Sequence, residues 1–536
     1  MTAGPHPRSE AADHPPSEAA DHPRSEAAEA VPEPPKTQYG GVARDGALNL
    51  LGAGISAVLN LAITVVVTRG FDRREAGIFF TATSVFLLAY TISRLGTATG
   101  AVYFISRYRR TGQQQRLRAT LRIATLPVIV TSAVVGALLF GFAPQVSDRI
   151  LRGGGDGAVG ALRVLAVFIP FAAVSDLTLA AARGFARMRP LVLVEKIGRP
   201  LAQTLLVVLV VIVGASAHIA LPAAWVSPYV AAALVSWLWL GTLRRATERR
   251  TGVRPEPVTR EETGRFWRFT APRALGSIAQ VGLQRLDVIL VAALAGPVQA
   301  AVYTAATRFL VVGQLGGTAI STAVQHRFGE LLAMNDRRGT NQLYQLATSW
   351  LVLLLWPVYL LCAVFSGILL TVFGSGYGAG RPVMVLLALA MLVATAAGSV
   401  DNVLNMAGRT TWTLANAVIA LLVDVVLDLL LIPHLGILGA AIGWSAAIVV
   451  NNVLAVVQLG WSLKLHPFGR ATFIAMVLTS GCFGVIPLVA MLVAGDRPAA
   501  LLGATALGTA LYVVLLWRCR QMLQLGALRA LRRRPA

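Results

Sequence analysis

Fourteen stretches of about twenty mostly apolar residues follow one another along this chain, separated by short polar breaks. They lie near residues 48–68, 77–98, 119–143, 159–182, 200–220, 223–243, 270–296, 300–322, 346–372, 382–405, 413–432, 437–460, 471–494 and 499–518. A bilayer core requires roughly 20 such residues per helical crossing. Backbone groups in lipid must be satisfied inside the segment, so runs of this length become helices. The residue-by-residue alternation of a membrane barrel is absent. The chain is 56% hydrophobic and only 13% charged, with mean hydropathy +0.66. The fold class that follows is an all-α polytopic membrane protein with about fourteen transmembrane helices. Residues 200–243 are the ambiguous segment, since one or two spans fit around Pro222.

Residues 1–44 differ in kind. SEAADHPP from Ser9, SEAADHPR from Ser17 and SEAAEA from Ser25 form a near-repeat with too little apolar surface for a core. Such sequence is expected to be a disordered cytoplasmic tail. His6, His14 and His22 read as repeat expansion in a linker ahead of metal binding. The tail has no apolar h-region, so the first span is expected to remain as an uncleaved anchor. Cys362, Cys482 and Cys519 form no CxxC pair, so neither a disulfide framework nor a metal site is expected.

The basic residues give the orientation. With the N-terminus inside, 34 of the 47 Lys and Arg fall in inside segments and 7 in outside loops, the rest lying within spans. Both termini are therefore predicted to be cytoplasmic, in the cytoplasmic (inner) membrane. The net charge of +22 is explained by this bias, and nucleic acid is not expected as a partner. The domains expected are a tail over 1–44, an N-terminal six-helix bundle over 45–243 and a basic cytoplasmic linker over 244–269. A C-terminal six-helix bundle over 270–460, two additional helices over 461–518 and a basic tail over 519–536 follow. A shift of 224 residues lays Ala76-Gly77-Ile78-Phe79 on Ala300-Ala301-Val302-Tyr303, Thr83 on Thr307 and Gly184 on Gly408. Each half has an even number of spans, so the repeat is parallel, a transporter plan with its site between the repeats.

The seventh span carries Arg273, Ser277, Gln280, Gln284 and Asp287, spaced four, three, four and three. Positions seven apart drift only about 20° on a helix, so the five share one face. At the helical rise they extend over roughly 21 Å. Lipid would not tolerate that face. The repeat sets Asn49, Ser56 and Asn60 opposite it; Ser84, Thr91 and Arg94 on the second span and Thr304, Arg308, Thr318 and Ser321 on the eighth are also polar. One shared aqueous cavity accounts for all four faces, against ordinary interhelix hydrogen bonding by small polar residues.

Arg94 and Arg273, with Arg44 before the first span, are expected to form a cationic mouth at the cytoplasmic side. Arg285 lies near mid-membrane, and Arg308 at the depth of Asp287, with which it is expected to pair. Guanidinium forks suit phosphate oxygens. The plainer alternatives are snorkelling for Arg94 and Arg273, and structural ion pairing for Arg285 and Arg308. Asp424 and Asp428, one turn apart on the eleventh span, suit proton or sodium coupling, or instead bond to neighbouring helices. Asp401, Asn402 and Asn405 are similarly open. Glu195 and Arg199 read as a structural i,i+4 pair.

Catalytic motifs are missing: no Walker A sequence, no HExxH, no GxSxG. No catalytic residue, cofactor or enzyme activity is expected. LNLLGAGISAVLNLAITVVVTRGFDRREAGIFF, RGFARMRPLVLVEKIGRPLAQ, LDVILVAALAGPVQAAVYTAATR and MAGRTTWTLANAVIALLVDVVLDLLLIPHLGILGAAIG together resemble the polysaccharide-export (Wzx-like) branch of the multidrug/oligosaccharidyl-lipid/polysaccharide (MOP) exporter superfamily. The resemblance implies a MATE/MurJ-like, V-shaped pair of six-helix bundles with two further helices. It also implies alternating access and a polyprenyl-diphosphate-linked oligosaccharide as cargo; separately, proton or sodium coupling or the membrane potential is the expected driving force. The lipid-linked glycan, the bilayer and glycan-assembly proteins are the partners it suggests. Competing readings are a peptidoglycan-precursor (lipid II) flippase, a multidrug antiporter and, from another class, a membrane-embedded glycan polymerase or ligase. The last is disfavoured by short outer loops, and the drug antiporter by the final pair of spans.

Overall fold

A computed structural model describes residues 37–151, 155–252 and 256–523. The tail repeat with its three histidines and the basic residues 524–536 lie outside the described residues, as do the side chains of Arg44 and Thr318. The chain divides into residues 1–44 and 45–536. Of the first unit, residues 37–44 are helical. Among the described residues of the second there are helices and turns but no strand.

Thirteen helical segments are long and apolar enough to cross a membrane. In order they are Leu48–Gly70, Arg73–Ser93, Gln114–Gly141, Gly155–Gly184, Leu191–Val213, Ala220–Thr251, Arg260–Ala295, Arg337–Val364, Tyr377–Met406, Thr410–Leu435, Ile437–Leu463, Arg470–Ala494 and Pro498–Arg518. A helix over Pro297–Ala333 follows the seventh of these. Counted as the eighth span, it brings the total to the fourteen expected. The ambiguous region resolves into two spans, because the fifth ends at Val213 and a new helix starts at Ala220. The second and eighth helices start at Arg73 and Pro297, separated by the 224 residues read from the sequence repeat.

Side chains set several helix starts. Asp72 accepts from the Glu75 amide at 2.7 Å and Thr259 from the Glu262 amide at 3.2 Å. Both are polar residues with Glu three positions on, the pattern that satisfies orphan amides at a helix start. Asp336 accepts from the Gly339 amide at 2.9 Å before the ninth span.

Packing joins the two halves of the repeat. The second span packs along the seventh and the eighth. Its aromatic residues Phe79 and Phe86 stand edge-on to Trp225 of the sixth span, with ring centroids 6.3 and 5.7 Å away. Within the second half the eleventh and twelfth spans form an extensive pair, stitched by reciprocal 2.8 Å bonds between the Asn416 and Gln458 amides. The thirteenth span packs on the ninth, where Tyr512 of the fourteenth also donates to the Leu353 carbonyl at 2.6 Å.

The connections richest in arginine, over residues 94–118, 183–199 and 244–268, fall at one end of the bundle, here termed the basic face. At that face a helix over Thr97–Arg110, between the second and third spans, lies on the start of the seventh, with Tyr103 stacked on Phe269 at 4.2 Å. At the opposite face the last turn of the first span is tied to the second half. Arg69 Nε donates to the Val372 carbonyl at 2.7 Å and its Nη2 to Thr371 at 3.2 Å. Gly77 abuts Pro297 so closely that an added Cβ would collide with the Pro297 carbonyl oxygen. The two halves are thus closed against each other at the face away from the basic residues.

Candidate functional site

The polar stripe of the seventh span divides by environment. Arg273, Gln280 and Gln284 are exposed and Ser277 half-buried. Gln280 and Gln284 have no hydrogen-bond partner among the described residues. Arg273 lies over the Phe269 ring at 3.7 Å and donates to its carbonyl at 2.7 Å. Asp287 departs from the others because it is buried. It accepts from the Tyr303 hydroxyl at 2.7 Å and from the Val288 amide at 2.8 Å.

The expected Asp287–Arg308 ion pair is therefore not formed; the tyrosine of the next span takes the carboxylate. Depth explains the preference. Asp287 lies about 12 Å inside the end of its span, whereas Arg308 is about 16 Å from the start of the next. Tyr303 is nearer the turn and reaches down with its hydroxyl.

Arg285 and Arg308 are left without a carboxylate at ion-pair distance among the described residues. Both are half-buried, and Arg308 Nε is enclosed with no hydrogen-bond partner. The two guanidiniums are close enough for their charges to interact. Each also looks toward the first half of the repeat. Arg308 stands 5.9 Å from the Phe80 ring centroid, and Arg285 lies within electrostatic range of Tyr229 of the sixth span. Asp287 lies within electrostatic range of both guanidiniums, but its carboxylate is bonded to Tyr303 and the Val288 amide, and one anion does not balance two cations in low dielectric.

Arg94 has a different setting. Instead of lining an open mouth with Arg273, it donates to Asp176 of the fourth span at 3.1 Å and lies against the Tyr90 ring at 4.9 Å. Beyond it Arg199 grips Glu195 with two bonds, at 2.6 and 3.2 Å, and donates to the Tyr229 hydroxyl at 3.0 Å. Gln203 completes the chain, accepting from Arg199 at 3.2 Å and donating to the Trp225 carbonyl at 2.6 Å. The Arg199 cluster ends at Tyr229, which lies within electrostatic range of Arg285. Asp176 and Tyr229 went unnoticed in the sequence. A lone carboxylate within the apolar fourth span was the available signal.

Asp424 and Asp428 are fully buried, and their carboxyl oxygens have no hydrogen-bond partner. Asp428 occupies the space left by Gly443 on the twelfth span, where an added Cβ would collide with its Oδ1. Both aspartates lie within electrostatic range of Asp287. No group of three or more His, Cys, Asp or Glu suited to a metal ion is found among the described residues, where all three cysteines are free thiols.

A bundle of fourteen spans built on a repeat, with charged side chains converging between its halves, has the architecture of the MOP-superfamily transporters and flippases. Solved structures share this fold. A structure titled lipid II flippase MurJ, inward closed conformation, superposes with TM-score 0.68 at 14% identity, over 88% of this chain and 99% of that one. An inward-facing multidrug resistance MATE family transporter gives 0.65 at 14% identity, over 76% and 94%. A MOP superfamily transporter from Pyrococcus furiosus gives 0.56 at 15%, over 79% and 95%. The chain belongs to the family described as polysaccharide biosynthesis protein, which matches residues 42–326, more than half its length. It is thus a member of the Wzx-like polysaccharide branch of the MOP superfamily. The MatE family also matches, over residues 272–430. No curated protein matches the chain.

Proposed function

We propose that this protein flips a polyprenyl-diphosphate-linked oligosaccharide from the cytoplasmic to the outer leaflet of the cytoplasmic membrane, for assembly of a cell-surface polysaccharide. The observation that carries the proposal is the pair Arg285 and Arg308, two guanidiniums between the halves of the repeat with no carboxylate at ion-pair distance among the described residues and only Asp287 within electrostatic range of both. A diphosphate supplies the missing charge, and two planar forks match its oxygens. Exposed Gln280 and Gln284, on the same span, suit the hydroxyls of a glycan. The basic face is cytoplasmic in this reading, so cargo enters where Arg273 is exposed, and the closure by Arg69 and Gly77 is the outer gate.

Transport then proceeds by alternating access. The six-span halves, residues 45–243 and 270–460, rock about their contact. The gate at Arg69 opens, and the diphosphate leaves once the two arginines are separated or hydrated. Asp424 and Asp428 are the groups through which a proton or sodium ion would bias that motion, because a bound cation offsets their mutual repulsion. Depletion of the protein should make a lipid-linked intermediate accumulate in the inner leaflet. Reconstituted into vesicles, the protein should move a polyprenyl-diphosphate glycan to the opposite leaflet. Failure to move it, with movement of the peptidoglycan precursor instead, would select the second reading. That reading is favoured by the extent of the fold shared with the lipid II flippase.

A further inference from the structure

The basic face carries a second cationic feature, outside the interface of the halves. A groove of about 680 Å³ opens between the third and sixth spans. Arg118, Arg122, Arg244 and Arg245 line its rim, and no acidic residue lines it. Arg118, Arg122 and Arg245 form no ion pair among the described residues. Arg244 is 3.6 Å from Glu248, and its Nε lacks a hydrogen-bond partner. Below the rim the walls become apolar, with Leu126, Ile129, Trp237 and Leu238 all exposed.

The geometry points to a binding site for an anionic glycerophospholipid of the leaflet at the basic face. Arg118 and Arg122 are one turn apart on the third span, and Arg244 and Arg245 sit at the matching end of the sixth. Four guanidiniums therefore converge at headgroup depth, where they complement a phosphodiester and an acidic headgroup. From Arg122 to Ile129, and from Arg244 back to Trp237, the helices descend about 10 Å. That is an apolar slot in which the upper part of an acyl chain fits. An acidic soluble protein is a poor match, because most of the lining is hydrocarbon. The cargo is also a poor match, because both walls belong to the first half and the groove does not reach Arg285 or Arg308. A lipid seated here would clasp the third and sixth spans and stiffen the half that has to move as a body.

The experiment uses the full-length protein, delipidated in detergent. Phosphatidylglycerol, phosphatidylcholine, inorganic phosphate and a polyprenyl diphosphate are added separately, and the thermal midpoint and lipid retained by native mass spectrometry are read. Phosphatidylglycerol should be retained and raise the midpoint, while phosphatidylcholine and phosphate should do neither. The variant R118Q/R122Q/R245Q should weaken phosphatidylglycerol retention by at least about tenfold. A photoactivatable phosphatidylglycerol on the unaltered protein gives an independent readout, with adducts expected in residues 118–129 and 237–245. Equal retention of the two phospholipids, adducts elsewhere, or displacement of phosphatidylglycerol from these peptides by the polyprenyl diphosphate would overturn the assignment.

Discussion

Arg69, in the last turn of the first span, donates through Nε to the carbonyl of Val372 at 2.7 Å, joining two segments 303 residues apart. The bond holds the first half against the second at the face away from the basic residues. Gly77 permits the same approach a few residues later. Loss of the Arg69 side chain should shift the population toward the state open at that face. A hydrogen bond from a charged donor is worth about 1.5–3 kcal/mol net, and less where exposed. Arg69→Ala should therefore change the open fraction by a factor of about five, the effect of roughly 1 kcal/mol. An Asn60→Cys reporter, half-way along the first span, measures it through its labelling rate from the gated side. Gly77→Val should raise the rate further, since its Cβ would collide with the Pro297 carbonyl oxygen. An unchanged rate in both variants would show that this contact does not gate access.

Arg94 and Asp176 make a different prediction. Their side chains are 20% and 27% exposed, so each removed alone leaves a largely enclosed charge. Breaking a buried pair is costly because the survivor is uncompensated, up to about 3–5 kcal/mol when burial is complete. Arg94→Ala and Asp176→Ala should each lower protein abundance and thermal midpoint, and the double variant should recover part of the loss. Additive losses in that double-mutant cycle would mean that Arg94 acts independently of Asp176, in the manner of a cargo ligand.

Gly443 and Asp428 form a packing unit. Gly443→Ala places a methyl group against the Asp428 carboxyl, and overpacking of this kind costs about 1–3 kcal/mol. Calorimetry should show a lower thermal midpoint for Gly443→Ala and recovery in Gly443→Ala/Asp428→Ala, where the space is returned. In vesicles, Asp424→Asn and Asp428→Asn should retain cargo binding but lose the response to an imposed proton or sodium gradient. A full response in both would remove these residues from coupling.

The spans were legible because crossing a bilayer is a property of one segment at a time. Hydropathy located them to within a few residues, and the helix starts at Arg73 and Pro297 keep the 224-residue offset that aligns Ala76 with Ala300. Pairings were less legible because they depend on helix rotation and side-chain reach. Asp287 and Arg308 appear level when counted from the expected span limits at 296 and 300, but the eighth helix starts at Pro297, which sets Arg308 deeper and leaves the carboxylate to Tyr303. Asp176 was passed over because it has no polar neighbour at helical spacing to mark a stripe. Glu195 and Arg199 were correctly seen as a pair. Their continuation through Tyr229 toward Arg285 crosses between spans and leaves no periodic trace.

The central claim is that Arg285 and Arg308 hold the diphosphate of the cargo. The most direct test is equilibrium binding of a polyprenyl diphosphate to purified Arg308→Ala, with the thermal midpoint read on the same sample. Loss of a charge-assisted contact of about 1.5–3 kcal/mol should raise Kd by at least about tenfold. The midpoint should hold or rise, because an unpaired cation has been removed from a low-dielectric site. An unchanged Kd with a fallen midpoint would contradict the claim, making Arg308 a structural residue and placing the diphosphate elsewhere.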